Sequence, residues 1–534
     1  MQKIVTASIL LFLLSFFTNA QTKNIADLET RYLNWYNLDA QSDAILGTSV
    51  ERAYSELLQN KQPKKTIIVA VIDGGVDIDH QDLKENIWIN EDEIPGNEID
   101  DDNNGYIDDI HGWNFIGNSR GENIHHENLE YTRIYKAESS NPDFQKAKEY
   151  YEKEFAKRVK EKDNILKFEA AFRGAKLIIQ EHTGIDVKTA NDLFKISSSN
   201  PEVVHAKQFL ASKFKQGFTE KDLMDYKRHN ADYLEYFLNK NFNPRELVGD
   251  DPTAIDNKPY GNPDVKGPRA EHGTSVSGVI AAVRHNNLGT NGIASNVKIM
   301  CLRSTPSGDE RDKDVALAIR YAVENGAHII NMSFGKDFSP QKKLVDDAAR
   351  FAEQKNVLLV HAAGNDGQDL GIHPSFPTSI YLDGTEATNW ITVGASSMTK
   401  GENTAAVFSN YNTKYVDIFA PGVNVISSDT GDTYSMNDGT SLAAPVVSGV
   451  AALVLSYYPD LTPAQLIQIL YQSSLKLGKQ KVLIPDLENE KRKKVKFSTL
   501  SESGGIVNAY EALKLADQKN ISGPDTDSSK SGLK

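Results

Sequence analysis

Three residues of this 534-residue chain could together transfer an acyl group: Asp73, His272 and Ser441. A serine hydroxyl is a weak nucleophile near neutrality. It needs a base to take its proton, and the base needs an acid that fixes its tautomer and stabilises the imidazolium. Each residue stands in a stretch that would expose it: Val69-Ala70-Val71-Ile72-Asp73-Gly74-Gly75, Glu271-His272-Gly273-Thr274-Ser275, and Gly439-Thr440-Ser441-Leu442-Ala443-Ala444-Pro445. Taken singly, each has a plainer reading: Asp73 as a cap after a strand, His272 as a structural imidazole, and Ser441 as an N-cap.

The elements that must position these residues are legible around them. Ile67 to Ile72 is an unalternated apolar run rich in β-branched residues, followed by Gly74-Gly75. That predicts a buried parallel strand with a tight turn, and ligands of open α/β sheets sit at the carboxyl ends of such strands. Small and apolar residues from Gly273 to Val283 predict a helix that starts near His272. Ser441 opens a long apolar helix, with Pro445 expected in its first turn, where no intrahelical N–H is lost. Further helices are expected over Val315–Asn325 and after Thr462-Pro463, and strands over 297–302, 327–333 and 390–395. This alternation predicts an α/β fold: a three-layer α/β/α arrangement around a doubly wound, mostly parallel sheet.

The three stretches, in the chain order Asp, His, Ser, resemble the subtilisin-like serine peptidases, the subtilase family. The resemblance covers most of Thr66 to Asp517. It implies that Ser441 is the nucleophile, His272 the base and Asp73 its orienting acid. Val360 to Gly367 resembles the family loop whose asparagine donates to the oxyanion, which assigns that role to Asn365 together with the Ser441 amide. His328 to Gly335 resembles the strand that pairs with substrate, so Ser333, Phe334 and Gly335 are candidate substrate-binding residues, with Gly364 across the pocket. Asp366 would favour basic and Phe334 apolar side chains there, and the choice stays open at this stage.

The stretch between Asp73 and His272 is longer than the family's minimal form needs. The excess lies at about 120–266, where 146–180 shows apolar residues at helical spacing, including Phe155, Val159, Ile165, Leu166, Phe168, Leu177 and Ile178. It is expected to be a large helical insertion, read as a solvated appendage in preference to a lid. Residues 1–20, basic at the start, apolar from Ile4 to Phe17 and small at Thr18-Asn19-Ala20, have the pattern of a signal peptide, with an uncleaved anchor as the alternative. A short N-terminal segment at 21–65, a peptidase domain at 66–517 and a disordered tail at 518–534 complete the expected organisation. The 21–65 segment is short for the folded propeptide that many family members carry.

A net charge of −14 argues against nucleic acid or an anionic membrane surface as a partner. Cys301 is the single cysteine, inside an apolar run, so no intrachain disulfide can form and a buried thiol is expected. Asp100, Asp102, Asn104, Gly105 and Asp108 stand at positions 1, 3, 5, 6 and 9 of a loop with the oxygen-ligand spacing of a calcium site. Asp100, Asp102, Asn104, Asp108 and the Tyr106 carbonyl are the candidate ligands of a structural Ca2+. His111 stands where the usual bidentate Glu would be.

The expectation is an exported serine endopeptidase, periplasmic or secreted, acting on peptide or protein substrates as a monomer without integral membrane association once the signal is removed. Two rivals are peptidyl transfer or narrow maturation cleavage on the same fold, and a non-catalytic, calcium-dependent binding protein. An α/β-hydrolase esterase is weaker, since Ser441 lacks the Gly-x-Ser-x-Gly context.

Overall fold

The computed structural model describes residues 24–137, 141–253, 260–489 and 491–522. The chain forms two compact units, one built from residues up to His125 and from Arg245 onward, the other from His126–Pro244.

The first unit is organised by a nine-stranded sheet. Its strands in chain order are β1 (Ile67–Asp73), β2 (Gly112–Asn114), β3 (Val297–Arg303), β4 (Ile329–Met332), β5 (Leu358–Ala362), β6 (Trp390–Ser396) and β7 (Ile418–Pro421). The hairpin of β8 (Val425–Asp429) and β9 (Thr433–Asn437) stands apart. Then come β10 (Leu475–Lys476), a separate pair of β11 (Lys481–Leu483) and β12 (Lys494–Lys496), and β13 (Gly505–Ile506). The spatial order is β10-β13-β7-β6-β5-β4-β1-β3-β2, parallel throughout except where β10 meets β13.

Alternate residues of β1 feed opposite layers. Ile67, Val69 and Val71 pack with Val276, Ile280, Val446 and Val450, from the helices Glu271–Ala281 and Thr440–Tyr457. Ala70 and Ile72 pack with Ile319 and Val345, from Asp312–Glu324 and Lys342–Gln354. The period of two along a strand therefore builds three layers, and the unbroken apolar run follows from burial on both faces. β1 lies between β3 and β4, from which the later strands proceed to either side, so Asp73 ends the strand at the switch point of the sheet.

The N-terminal segment belongs to this core. Trp35 and Tyr36 are fully buried, the Trp35 indole N–H donates to the Asn424 carbonyl at 3.0 Å, and Val50, Ala53 and Leu58 join the main cluster. Within the segment an α-helical turn at Val50–Arg52 continues with π-type turns over Ala53–Leu58. At the other end the last helix runs Ala509–Ser522, so residues 518–522 are helical, where a disordered tail was expected to begin. Burial of Ala512, Leu513 and Ala516, and the Tyr458 hydroxyl on Asp517, carry the helix past that boundary. Residues 1–20, the expected signal, and 523–534 lie outside the described residues.

The second unit is helical. A 40-residue helix, Phe144–Thr183, packs with Pro201–Lys215 and Glu220–Asp232 around Ile165, Phe172, Ile179, Val203, Leu210 and Phe218. Thr219 and Asp222 form a reciprocal capping box at the start of the third helix. Phe155, Val159, Leu166 and Leu177 are exposed, while Ile165, Phe168 and Ile178 pack into the core. This unit spans His126–Pro244 within the 120–266 stretch, whose two flanks pack with the sheet unit.

Candidate active site

Asp73 and His272 meet across the end of β1. The histidine is the second residue of Glu271–Ala281, and its Nδ1 lies 2.9 and 2.8 Å from the two carboxylate oxygens of Asp73. With an acceptor-only carboxylate opposite, Nδ1 carries the proton and Nε2 is left as the basic nitrogen. The Asp73 side chain is 4% exposed and that of His272 45%, so a buried acid faces an accessible base. Burial works against the charged imidazole, but the Asp73 carboxylate, by charge and hydrogen bond, outweighs it and raises the His272 pKa above the ordinary histidine value.

The backbone fixes this pair. The Asp73 carbonyl accepts from Ser304 and Thr305 amides at 3.0 and 3.2 Å, and its carboxylate accepts the Gly74 amide at 2.7 Å. Gly273 allows the helix to come this close: a Cβ there would overlap the Gly75 carbonyl oxygen and lie 3.1 Å from Asp73 Cβ. Thr274 anchors the same turn, donating its hydroxyl to the Ala270 carbonyl and accepting the Asp77 amide at 2.8 Å.

Ser441 is the second residue of Thr440–Tyr457. Its hydroxyl makes no hydrogen bond among the described residues, so the third contact of the expected triad is not closed; such contacts often tighten only when substrate binds. Two potential donors converge beside it. A Cβ on Gly439 would lie 3.5 Å from the Ser441 amide nitrogen and 3.6 Å from Asn365 Nδ2. Asn365 is held by its other end, where Oδ1 accepts the Thr440 amide at 2.8 Å and the Thr440 hydroxyl at 2.9 Å, while that hydroxyl accepts the Gly364 amide at 3.1 Å. Asn410 organises the loop from below, donating to the Ala363 carbonyl and accepting the Asp366 and Gln368 amides. Sequence reasoning did not find the roles of Thr440 and Asn410. The polar Thr at a helix start was the one local signal.

Pro445 lies inside the helix, past the first turn where it was expected. Its missing N–H would have served the Ser441 carbonyl four residues earlier, and that carbonyl instead accepts the Ser333 hydroxyl at 2.9 Å. Ser333 in turn accepts from Asn331 Nδ2, and Asn331 Oδ1 accepts the Ser448 hydroxyl, so the Ser333 side chain braces the serine helix. The Phe334 carbonyl is taken by His361 Nε2 at 2.8 Å. Burial pushes the His361 pKa down to about 4, so it serves as a neutral donor. Lys336 pairs with Phe376 in both directions, at 3.0 and 2.9 Å. Of the expected substrate edge, Gly335 and Gly364 have no room for a side chain: a Cβ would meet Ser375 Oγ at 2.8 Å at the first and Asn410 Nδ2 at 2.5 Å at the second.

In the acidic loop, Glu93, Asp100 and Asp102 bring carboxylate oxygens within 4.8 Å of one another. Asp100 and Asp102 belong to the ligand set read from spacing, and Glu93 is an addition to it. Both Asp108 oxygens cap the Gly96, Asn97 and Glu98 amides at 2.7, 3.3 and 3.0 Å, and Asn104 Oδ1 accepts the Tyr106 amide at 2.8 Å. The Tyr106 ring packs against Trp113, Phe115 and Tyr321. Glu93 comes beside Asp100 and Asp102 because the chain folds back on itself, and its own oxygens accept the Asp101, Asp102 and Asp108 amides. Three hard oxygen donors, one of them on a buried residue, suit a hard divalent cation.

A family model described as the subtilase family matches residues 64–498. A thermophilic serine proteinase of a Bacillus species is 38% identical over 186 residues, covering 35% of this chain and 42% of that protein. A thermostable alkaline protease of Halalkalibacterium halodurans is 36% identical over 208 residues, covering 39% of this chain and 53% of that protein. The chain thus spans about half the length of these curated relatives. Among solved structures, the epidermin leader peptide processing serine protease of Staphylococcus aureus is 27% identical over 48% of this chain and 67% of that one, with a TM-score of 0.37.

Proposed function

Because the chain belongs to the subtilase family, we propose that it is a serine endopeptidase, exported by way of residues 1–20, that cleaves peptide or protein substrates through an acyl-enzyme. The observation that carries this reading is the grip of Asp73 on His272 Nδ1, supported by the Ser441 amide and Asn365 Nδ2 that both lie against Gly439. Ser441 Oγ attacks the peptide carbonyl as His272 Nε2 takes its proton. Asp73 holds the imidazole and stabilises its positive charge. The oxyanion draws on Asn365 Nδ2 and the Ser441 amide, whose directions are set before substrate arrives. On collapse the C–N bond breaks, His272 protonates the leaving amine, and water repeats the sequence on the ester. Gly335 and Gly364 line the approach.

Glu93, Asp100 and Asp102 would hold a Ca2+ whose part is to neutralise the acidic loop, outside the chemistry. The loop's local hydrogen bonds are consistent with a structural role.

The test is labelling of the purified protein with a fluorophosphonate, with the adduct mapped by mass spectrometry, and a peptide-library cleavage profile beside a Ser441→Ala control. The expected result is one adduct at Ser441 and internal cleavage lost in the control. Product analysis with an added amine separates hydrolysis from peptidyl transfer. A folded protein that takes no label at Ser441 and cleaves nothing would refute the reading.

A further inference from the structure

Arg303 ends β3 in direct register with Asp73 and is 1% exposed. Its surroundings are unusual for a buried guanidinium. Nε donates to the Gly74 carbonyl at 2.8 Å and Nη2 to the Ile124 carbonyl at 3.3 Å, while Nη1 meets no acceptor among the described residues. Among the described residues no carboxylate forms an ion pair with it. Asp264 is the acid that acts on it from a distance, and burial lowers its pKa to about 10. Such a group costs stability, and well-packed apolar replacements of buried charges are often tolerated. Its retention therefore needs another account.

The contacts supply one. Gly74 follows Asp73. Ile124 lies on the limb that leaves the sheet unit for the helical insertion, and Asp264 to Gly267 form the limb that returns. Gly267 lies against the guanidinium so closely that a Cβ there would stand 2.6 Å from Nη1. Asp264 joins the two limbs, accepting Asn123 Nδ2 at 2.7 Å and the Gly267 amide at 2.8 Å. The returning limb also touches the Asp73 turn directly, since the Val76 amide donates to the Val265 carbonyl at 3.0 Å. Five residues after Gly267 the chain reaches His272.

We propose that Arg303 is a positioning residue for the Asp73–His272 pair, holding the Gly74 carbonyl and clamping both roots of the insertion to the turn that carries Asp73. This rests on the protease reading above. Other charged groups nearby are His125 and Arg269; Asp73 and Glu271 are the acids that act on His272.

The test compares Arg303→Met and Arg303→Lys with the unaltered protein on a peptide it cleaves, reading kcat, KM and the acid limb of the kcat/KM profile. Loss of the Gly74 anchor should lower kcat by about 10- to 100-fold, as an ångström-scale misplacement does, with KM changed little. The acid limb should fall toward the ordinary histidine value of about 6.5 as the Asp73 contact loosens. Lysine, which returns one donor, should recover part of the loss. Unchanged kcat and acid limb in Arg303→Met, or an effect on KM alone, would overturn the proposal. If the methionine variant does not fold, the same readings on Arg303→Lys decide, with no loss overturning it. Failure of the unaltered protein to take a fluorophosphonate at Ser441 sinks the protease reading instead, whereas equal labelling of all three proteins sinks only this one.

Discussion

Replacing Gly273 by alanine perturbs the Asp73–His272 contact without touching either residue. The new Cβ would overlap the Gly75 carbonyl oxygen and stand 3.1 Å from Asp73 Cβ, where ordinary contact begins at 3.4 Å. The Gly75 contact is backbone, so relief requires the helix start and the Asp73 turn to part, by roughly 1 Å, a displacement that can cost about 100-fold in rate. His272 is the adjacent residue, and its Nδ1 sits only 2.8 Å from Asp73 Oδ2, so the same displacement takes the pair beyond hydrogen-bonding distance. Overpacking of this kind typically costs about 1–3 kcal/mol, a drop of a few degrees in Tm for a unit of this size. The assay is kcat and KM on a cleaved peptide beside a thermal melt. We expect kcat down by about two orders of magnitude with KM little changed, since substrate contacts are elsewhere. A Gly273→Ala protein with an unaltered kcat and acid limb would refute the reasoning, because the close approach would then be unnecessary.

Three further outcomes are expected. kcat/KM should rise with pH as His272 loses its proton, with a midpoint above about 6.5 because Asp73 favours the charged form. The same raised pKa stabilises the fold below that ordinary value and ceases to do so as pH climbs through the folded-state value, so the stability contribution fades where activity appears; titration followed by kinetics and by melting checks both signs. Asn365→Ala should lower kcat by about 100- to 1,000-fold, the loss known for removing such a donor from subtilisin, and Thr440→Val should lose part of that, since the Thr440 amide still holds Asn365 Oδ1. Chelation should lower Tm and hasten self-digestion, magnesium should restore little, and Glu93→Gln or Asp102→Ala should reproduce the loss of stability with initial kcat nearly intact; an unchanged Tm in calorimetry with and without millimolar calcium would rule the site out.

What the sequence by itself determined lies where chemistry is local. The local setting of Asp73 after a β-branched run, and of His272 and Ser441 in the first turns of small-residue helices, could be read directly, because strand periodicity and helix starts depend on neighbours within a few residues; their roles, and that of Asn365, are what the family resemblance implies. The three-layer sheet followed from the alternation of such segments, and the helical insertion from its own apolar spacing. The tertiary structure alone decided which distant groups finish these local signals. Spacing picked out Asp100 and Asp102 in the acidic loop, and folding brought Glu93 beside them while the Asp108 carboxylate took three amides. Pro445 read as a first-turn proline, and the carbonyl it orphans found Ser333, the residue after β4. The N-terminal segment was too short to interpret until Trp35 and Tyr36 were seen buried in the core. Each of these is a hydrogen bond or packing contact beyond the reach of one helix turn, across 10 residues for Asp108 and Glu98 and 108 for Ser333 and Ser441. Its partner is set by how the sheet and helices come together in space, and no pattern within one segment encodes it.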